Sequence, residues 1–207
     1  MSVSHIDPHQ FEGFAGLIFD MDGTLIDTLA AHKRAWLEMG QEYGYDFDPQ
    51  LMVALTGSTT YNIAQAMMEK AGMPLTYLEE VVQRKRDLGA QYMAESAVLL
   101  PAFEVAQFYH GKKPLALGTG AHRQIVDTLF AQFDLAHLFD VVVTSDDVAN
   151  HKPHPDTFLQ CAKGLGLAPC DCVVFEDGDY GVQAALAGNM AVFDVRTGAL
   201  SRGALGG

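Results

Sequence analysis

The sequence is short of positive charge: 13 Lys and Arg stand against 26 Asp and Glu among 207 residues, a formal net charge of −13. A surface of that sign repels phosphate backbones and anionic headgroups, so no nucleic acid and no membrane is expected as a partner. Long apolar runs are missing as well, none approaching the roughly 20 residues of a membrane span. The opening "MSVSHIDPHQ" shows no basic segment leading into an apolar one, so no export signal is expected. Cysteine is scarce. Cys161, Cys170 and Cys172 cannot all pair, and the spacing in "PCDC" fits neither a zinc site nor a dithiol redox motif. They read as reduced core thiols of a cytoplasmic protein.

What is present is apolar and well patterned. A hydrophobic content of 49% suffices for one sizeable core carrying an insertion. "AGLIFD" is an uninterrupted apolar run ending at Asp20, which suits a strand buried on both faces of a parallel sheet. Similar runs recur at 114–120, 140–145, 172–177 and 191–195, with helices expected over 121–132, 155–165 and 179–188. Alternation of this kind indicates the α/β class, a doubly wound parallel sheet. Residues 29–95 contain no strand-like run and read as helices broken near "YGYDFDP", "LTGST" and "AGMPLT". The expected organisation is a core of 1–28 and 96–207, with a helical cap of 29–95 inserted after the first strand. In an open α/β sheet the ligand crevice lies beyond the carboxyl ends of the strands, so the insertion would sit over it.

The strand ends are acidic and polar. Asp20 and Asp22 point the same way while the chain stays extended, and Gly23 permits the turn that follows. Glu176 and Asp177 close another strand. A lone aspartate there is more often a turn residue or helix cap, the reading kept for Asp146 and Asp147. Four carboxylates sharing one crevice, however, need a cation or protons, and an oxygen-only donor set points to Mg²⁺. Thr119, Gly120 and Ala121 end a strand and open a helix, where a hydroxyl and free N–H groups could receive a phosphate. Strand-to-helix turns also carry glycine for geometry alone. In "HKPHPDTF" two prolines stiffen the chain around Lys152, although helix entry would account for them as well.

"FDMDGTLIDT", "LALGTG", "HKPHPDTF" and "VFEDGDYG" resemble, in order and spacing, the four motifs of the haloacid dehalogenase-like superfamily of phosphohydrolases. In "DTLAAHKRAW", Thr28, His32 and Trp36 are spaced four apart on one helical face. That stretch is similar to the β-phosphoglucomutase-like subfamily, within which the fructose-1-phosphate phosphatase branch is nearest. The resemblance implies that Asp20 is the nucleophile and Asp22 the general acid and base. It implies that Asp20, the Asp22 carbonyl, Asp177 and Glu176 hold Mg²⁺, and that Thr119, Gly120 and Lys152 hold the phosphoryl group, with Ala121 beside them. The partner implied is a phosphorylated sugar, bound through Thr28, His32, Trp36, Gly57, Ser58 and Lys85. Asp27 reads as a hinge or cap residue.

Two departures bear on the reaction. "LTGSTTYN" places Thr60 where the mutase carries an arginine for a second phosphate, which favours hydrolysis over phosphosugar transfer. Gly178 stands where serine is common. The run Arg84-Lys85-Arg86 reads as a solvated helix face, or as a grip on a second phosphate with Lys85 matching a lysine of the mutase. A dehalogenase needs neither Mg²⁺ nor a second aspartate, and a receiver-type signalling module has no use for the helical insertion.

Overall fold

Each expected strand forms where apolar side chains alternate between two buried faces, and the two faces fill two separate cores. A computed structural model describes residues 3–55 and 58–202. Strand β1 (Gly16–Phe19) leads through a two-residue strand, β2 (Ile26–Asp27), into four helices. These are α1 (Leu29–Tyr43), α2 (Pro49–Ala54), α3 (Thr60–Ala71) and α4 (Leu78–Ser96), after which the chain returns through β3 (Val98–Leu99). There follow α5 (Ala102–Tyr109), β4 (Leu115–Gly118), α6 (Arg123–Phe133) and β5 (Val141–Val143). The chain then adds α7 (Asp156–Leu165), β6 (Cys172–Glu176), α8 (Asp179–Ala187), β7 (Ala191–Asp194) and β8 (Ala199–Arg202).

The main sheet has the order β5-β4-β1-β6-β7-β8. All pairs are parallel except β7 with β8. Strand β1 is therefore central, with its successors diverging to either side, and the crevice beyond its carboxyl end is where such a sheet binds ligands. Leu17 and Phe19 of β1 join Leu115, Leu117, Val173 and Phe175 in one core, covered by α5 and α6. Phe19 stacks on Phe175 at 4.5 Å, and Phe11 of the amino-terminal arm meets Phe175 edge-on at 4.6 Å. Ile18, Ala116, Val174 and Val192 face the opposite core, filled by Phe158 and Cys161 of α7 and Ala184 and Ala185 of α8. Burial of both faces explains why the strands read as unbroken apolar runs.

The four-helix insertion packs chiefly through α1 on α4 and α3 on α4. Trp36, Met39, Met67, Met68, Val81 and Leu88 are buried between them. Asp48 caps α2 ahead of Pro49, and Thr59 caps α3 by accepting from Asn62 N–H at 3.2 Å. Both connections to the core run side by side, because β2 and β3 pair antiparallel. Outside the sequence reading lay the short strands β2 and β3, helix α5, and β8, whose four residues are all exposed. Helix α6 begins at Arg123, two residues later than expected, so 119–122 is a loop rather than a first helical turn.

Candidate active site

Burial of β1 delivers Asp20 to the sheet's carboxyl edge with little freedom. Its N–H donates to the Phe175 carbonyl at 3.0 Å, and its side chain is buried. Lys152 Nζ donates to Asp20 Oδ1 at 2.6 Å and to Glu176 Oε1 at 2.8 Å. Gly178 N–H donates to Glu176 Oε2 at 2.6 Å. Both Glu176 oxygens are thus engaged beneath Asp20. Gly181 permits this, since a Cβ there would lie 1.8 Å from Glu176 Oε1.

The turn after Asp20 carries the rest of the acidic cluster. Gly23 has φ +80°, and a Cβ on it would come within 2.1 Å of Asp177 Oδ2, so both backbone and space require glycine. Among the described residues the Asp177 carboxylate has no hydrogen-bond or ion-pair donor, and the Asp22 carbonyl accepts no hydrogen bond. Burial and the charges of Glu176 and Asp20 push Asp177 up to about 9. Asp20 is pushed up to about 7 by burial, against the pull of Lys152. The ammonium of Lys152 is held well above its ordinary value by Asp20 and Glu176 despite burial. Were all of them ionised, one cation among several carboxylates would leave negative charge in excess, and that is why protons are held there.

Asp22 is built differently. Burial works to raise it, but His32, Thr28 and Lys85 outweigh burial and hold its carboxyl below the ordinary range. Thr28 Oγ1 donates to Asp22 Oδ1 at 2.6 Å, and His32 Nε2 lies 3.4 Å from the same oxygen. Lys85 Nζ donates to His32 Nδ1 at 2.6 Å, which leaves the Nε2 proton directed at Asp22. Burial draws Lys85 down to about 8.

A cavity of about 400 Å³ lies between sheet edge and helical insertion. Asp20, Asp22, Asp177, Thr119, Gly120 and Ala121 line it from the core, and Thr28, His32, Trp36, Ser58, Thr60 and Lys85 from the insertion. Gly57 lies outside the described residues. Lys152 and Glu176 do not reach the cavity; they stand behind Asp20. Glu176, read from the sequence as a cation ligand, is therefore committed to Lys152 and Gly178 instead, and among the described residues no three His, Cys, Asp or Glu side chains form a ready ligand group. Thr119 Oγ1 accepts from Ala121 N–H at 3.0 Å, fixing the turn over which Gly120 faces the cavity.

The basic run on α4 is not a uniformly solvated face. Arg84 pairs with Glu42 on the surface, whereas Lys85 and Arg86 turn into the cavity. Helical periodicity separates neighbours in this way, and only the identity of the facing element tells which side is wet. Sequence reasoning missed Arg196 and His122, both of which line the cavity. Arg196 lies in the turn beyond β7 and pairs with Asp194 and Asp179. Asp27 accepts from Leu29 N–H at 3.0 Å at the start of α1, in keeping with its reading as a cap. Asp146 and Asp147 also cap: they accept from the N–H groups of Arg123 and Thr144.

A doubly wound sheet whose strand ends gather carboxylates under a helical cap defines the capped phosphatase class of hydrolases. The chain belongs to the haloacid dehalogenase-like hydrolase family, whose model matches residues 17–195. It is 45% identical over 186 residues to fructose-1-phosphate phosphatase YqaB of Escherichia coli, covering 90% of this chain and 98% of that protein. An uncharacterized protein of Haemophilus influenzae is 49% identical over 192 residues, covering 93% and 96% respectively. In fold, the chain matches the crystal structure of β-phosphoglucomutase from Clostridium difficile with a TM-score of 0.75 at 22% identity, over 87% of this chain and 84% of that one.

Proposed function

We propose that the chain is a Mg²⁺-dependent phosphatase for small sugar monophosphates of the fructose 1-phosphate kind, working through an aspartyl-phosphate. The observation that carries this is a buried Asp20 held by Lys152 at 2.6 Å, directly below a cavity that also receives Asp22. Residues 1–28 and 96–207 act as the catalytic core and 29–95 as the cap. Three free cysteines, of which Cys161 and Cys172 are buried and Cys170 is exposed rather than in the core as expected, fit a reducing, cytoplasmic setting.

The acidic cluster fits Mg²⁺ because its donors are hard oxygens in negative excess, and because the Asp177 carboxylate and Asp22 carbonyl have no protein donor. Asp20, the Asp22 carbonyl and Asp177 would hold the ion. Bound there, it supplies positive charge to the equatorial phosphoryl oxygens. Gly120 N–H supplies a further donor, and Lys152 behind Asp20 holds the nucleophile's carboxylate in place. Asp20 attacks phosphorus, the bond from phosphorus to the sugar oxygen breaks, and that oxygen takes the proton of Asp22. Water then attacks phosphorus and gives its proton to Asp22, and the bond to Asp20 breaks, releasing phosphate.

Asp22 must be protonated to begin. His32, Thr28 and Lys85 hold it ionised in the free site, and an arriving phosphate dianion raises its proton affinity, so substrate prepares its own acid. Selection of a monophosphate rests on the cations of the cavity. Among the described residues Lys85, Arg86 and Arg196 face it, and His32, His122 and an aspartate pair already engage them. With Thr60 at the cap loop, a second phosphate finds no uncommitted guanidinium. A mutase, which grips a bisphosphate at both ends, is the weaker reading on the same observation.

The test is phosphate release from a panel of hexose and pentose monophosphates, including fructose 1-phosphate and β-glucose 1-phosphate, with Mg²⁺ and with EDTA. Release that EDTA abolishes is the expected result. Glucose 6-phosphate accumulating from β-glucose 1-phosphate without phosphate release would establish the mutase instead.

A further inference from the structure

Beyond β7 the chain turns sharply, and Arg196 stands in that turn. Gly198 closes it at φ +76°, its N–H donating to the Asp194 carbonyl at 2.8 Å. Asp194 ends β7 in register with Glu176, so the turn lies beside the strand end that carries Asp177. Arg196 N–H donates to Asp194 Oδ1 at 2.9 Å, and its guanidinium grips the same carboxylate through Nε at 3.0 Å and Nη2 at 2.7 Å. That clasp alone would hold the turn. Yet Nη2 also pairs at 2.8 Å with Asp179, the first residue of α8, and both Asp179 and Arg196 line the catalytic cavity. The second carboxylate fixes the guanidinium in the core-side wall of the cavity.

Two properties of this guanidinium decide what it can bind. Its charge is more than matched, because two carboxylates stand against one cation. A second phosphate brought to it would meet the charges of Asp179 and Asp194 together with that of Arg196. Its donors, however, are not used up. A guanidinium has five N–H groups; the aspartates engage Nε and Nη2, and Nη1 has no partner among the described residues. The side chain is 37% exposed, so that edge is open to a ligand. A pair of N–H donors on a charge-cancelled group suits an uncharged oxygen, such as a sugar hydroxyl, whereas an unpaired arginine would recruit a carboxylate or phosphate.

We infer that Arg196 is a specificity-determining residue: Nη1 donates to a hydroxyl of the bound sugar, while Asp179 and Asp194 cancel the charge so that an uncharged polyol is preferred there to a second anion. The inference rests on the sugar-phosphatase reading and adds a selecting group from the core to those of the cap.

The test is calorimetry with Mg²⁺ in an Asp20→Asn background, so that binding is read without turnover. The probes are the sugar monophosphate of the panel that binds most tightly, phenyl phosphate, which carries no hydroxyl beyond its phosphate, and fructose 1,6-bisphosphate. Arg196→Met combined with Asp179→Asn removes the donors at unchanged net charge. It should weaken the sugar phosphate about tenfold relative to phenyl phosphate, as loss of one charge-assisted contact does. Asp179→Asn alone, at a side chain 77% exposed and so safe for folding, leaves Arg196 with one carboxylate. It should tighten the bisphosphate several-fold relative to the monophosphate. A purely structural clasp would move all three ligands alike. Equal changes for the sugar phosphate and phenyl phosphate, or a bisphosphate unmoved by Asp179→Asn, would overturn the inference. Binding ratios as expected without phosphate release in the native sequence would sink hydrolysis and leave the role of Arg196 standing.

Discussion

Asp20 on the floor of the cavity, and Lys152 and Glu176 that support it from behind, come from three distant stretches of chain, are joined by bonds of 2.6 and 2.8 Å, and are almost wholly withdrawn from solvent. Thr28, His32 and Trp36 on its roof come from successive turns of one helix, completed by Lys85 from another. The floor is fixed by sheet register and by charges that cannot relax into water. The roof is fixed by helical spacing and hangs on a two-stranded ribbon whose Val98 and Leu99 are exposed. Attack on phosphorus needs the first kind of placement, whereas choosing and admitting a substrate suits the second.

The comparison can be broken most forcefully at Lys152. Lys152→Ala would leave Asp20 and Glu176 as buried carboxylates without their cation, and removing one partner of a buried pair costs about 3–5 kcal/mol. Urea unfolding should show that loss at neutral pH and a partial recovery on acidification. A midpoint shift as small as a surface substitution gives would mean that the floor is not the rigid part. Where the floor meets the roof, Asp22→Asn should keep the fold, because asparagine still accepts from Thr28 and its carbonyl is unchanged, yet lower turnover about 10² to 10⁴-fold. Near-native turnover would remove Asp22 from the chemistry.

The sequence made the floor more legible than the roof, for physical reasons. Strands buried on both faces announce themselves as unbroken apolar runs, and Asp20, Asp22, Thr119 and Asp177 follow as the residues that end them. Strand β8 was not legible, since its four exposed residues carry no burial pattern and its place is set by pairing with β7. The positions of Lys152 and Glu176 behind Asp20, rather than in the cavity, depend on side-chain reach across strands. The opposite fates of Arg84 and of its neighbours Lys85 and Arg86 depend on what α4 faces. His122 gave no signal, because its partners stand 36 and 24 residues away.

The acidic excess yields a smaller, pH-dependent effect. Without metal, the folded Asp177 carboxyl keeps its proton to about 9, whereas an unfolded aspartate loses it near about 3.9. A folded pKa above the unfolded one gives stability that is complete at the lower value and lost as pH rises to the higher. The metal-free chain should therefore weaken progressively across that interval. A fixed Mg²⁺ concentration, about 100 times Kd at alkaline pH, should restore about 2.7 kcal/mol there and less at acid pH, where protons compete. Unfolding midpoints with Mg²⁺ and with EDTA test this, and equal Mg²⁺ effects at both ends would contradict a cation-sharing cluster.

The smallest expected change sharpens the role of the roof. Thr60→Arg should tighten binding of a bisphosphorylated sugar about tenfold, as one added charge-assisted contact provides. Calorimetry showing no change would take the cap loop out of the substrate site.

The central claim is that Asp20 carries the phosphoryl group, and it can be tested directly in the Asp22→Asn variant. A substrate with a good leaving group, such as p-nitrophenyl phosphate, needs no acid to expel it, while loss of the base slows hydrolysis of the intermediate. Acid quench, borohydride reduction and peptide mass analysis should then show Asp20 converted to homoserine in the peptide containing "FDMDGT". Continued release of p-nitrophenol with Asp20 unmodified, or modification of another residue, would contradict the account.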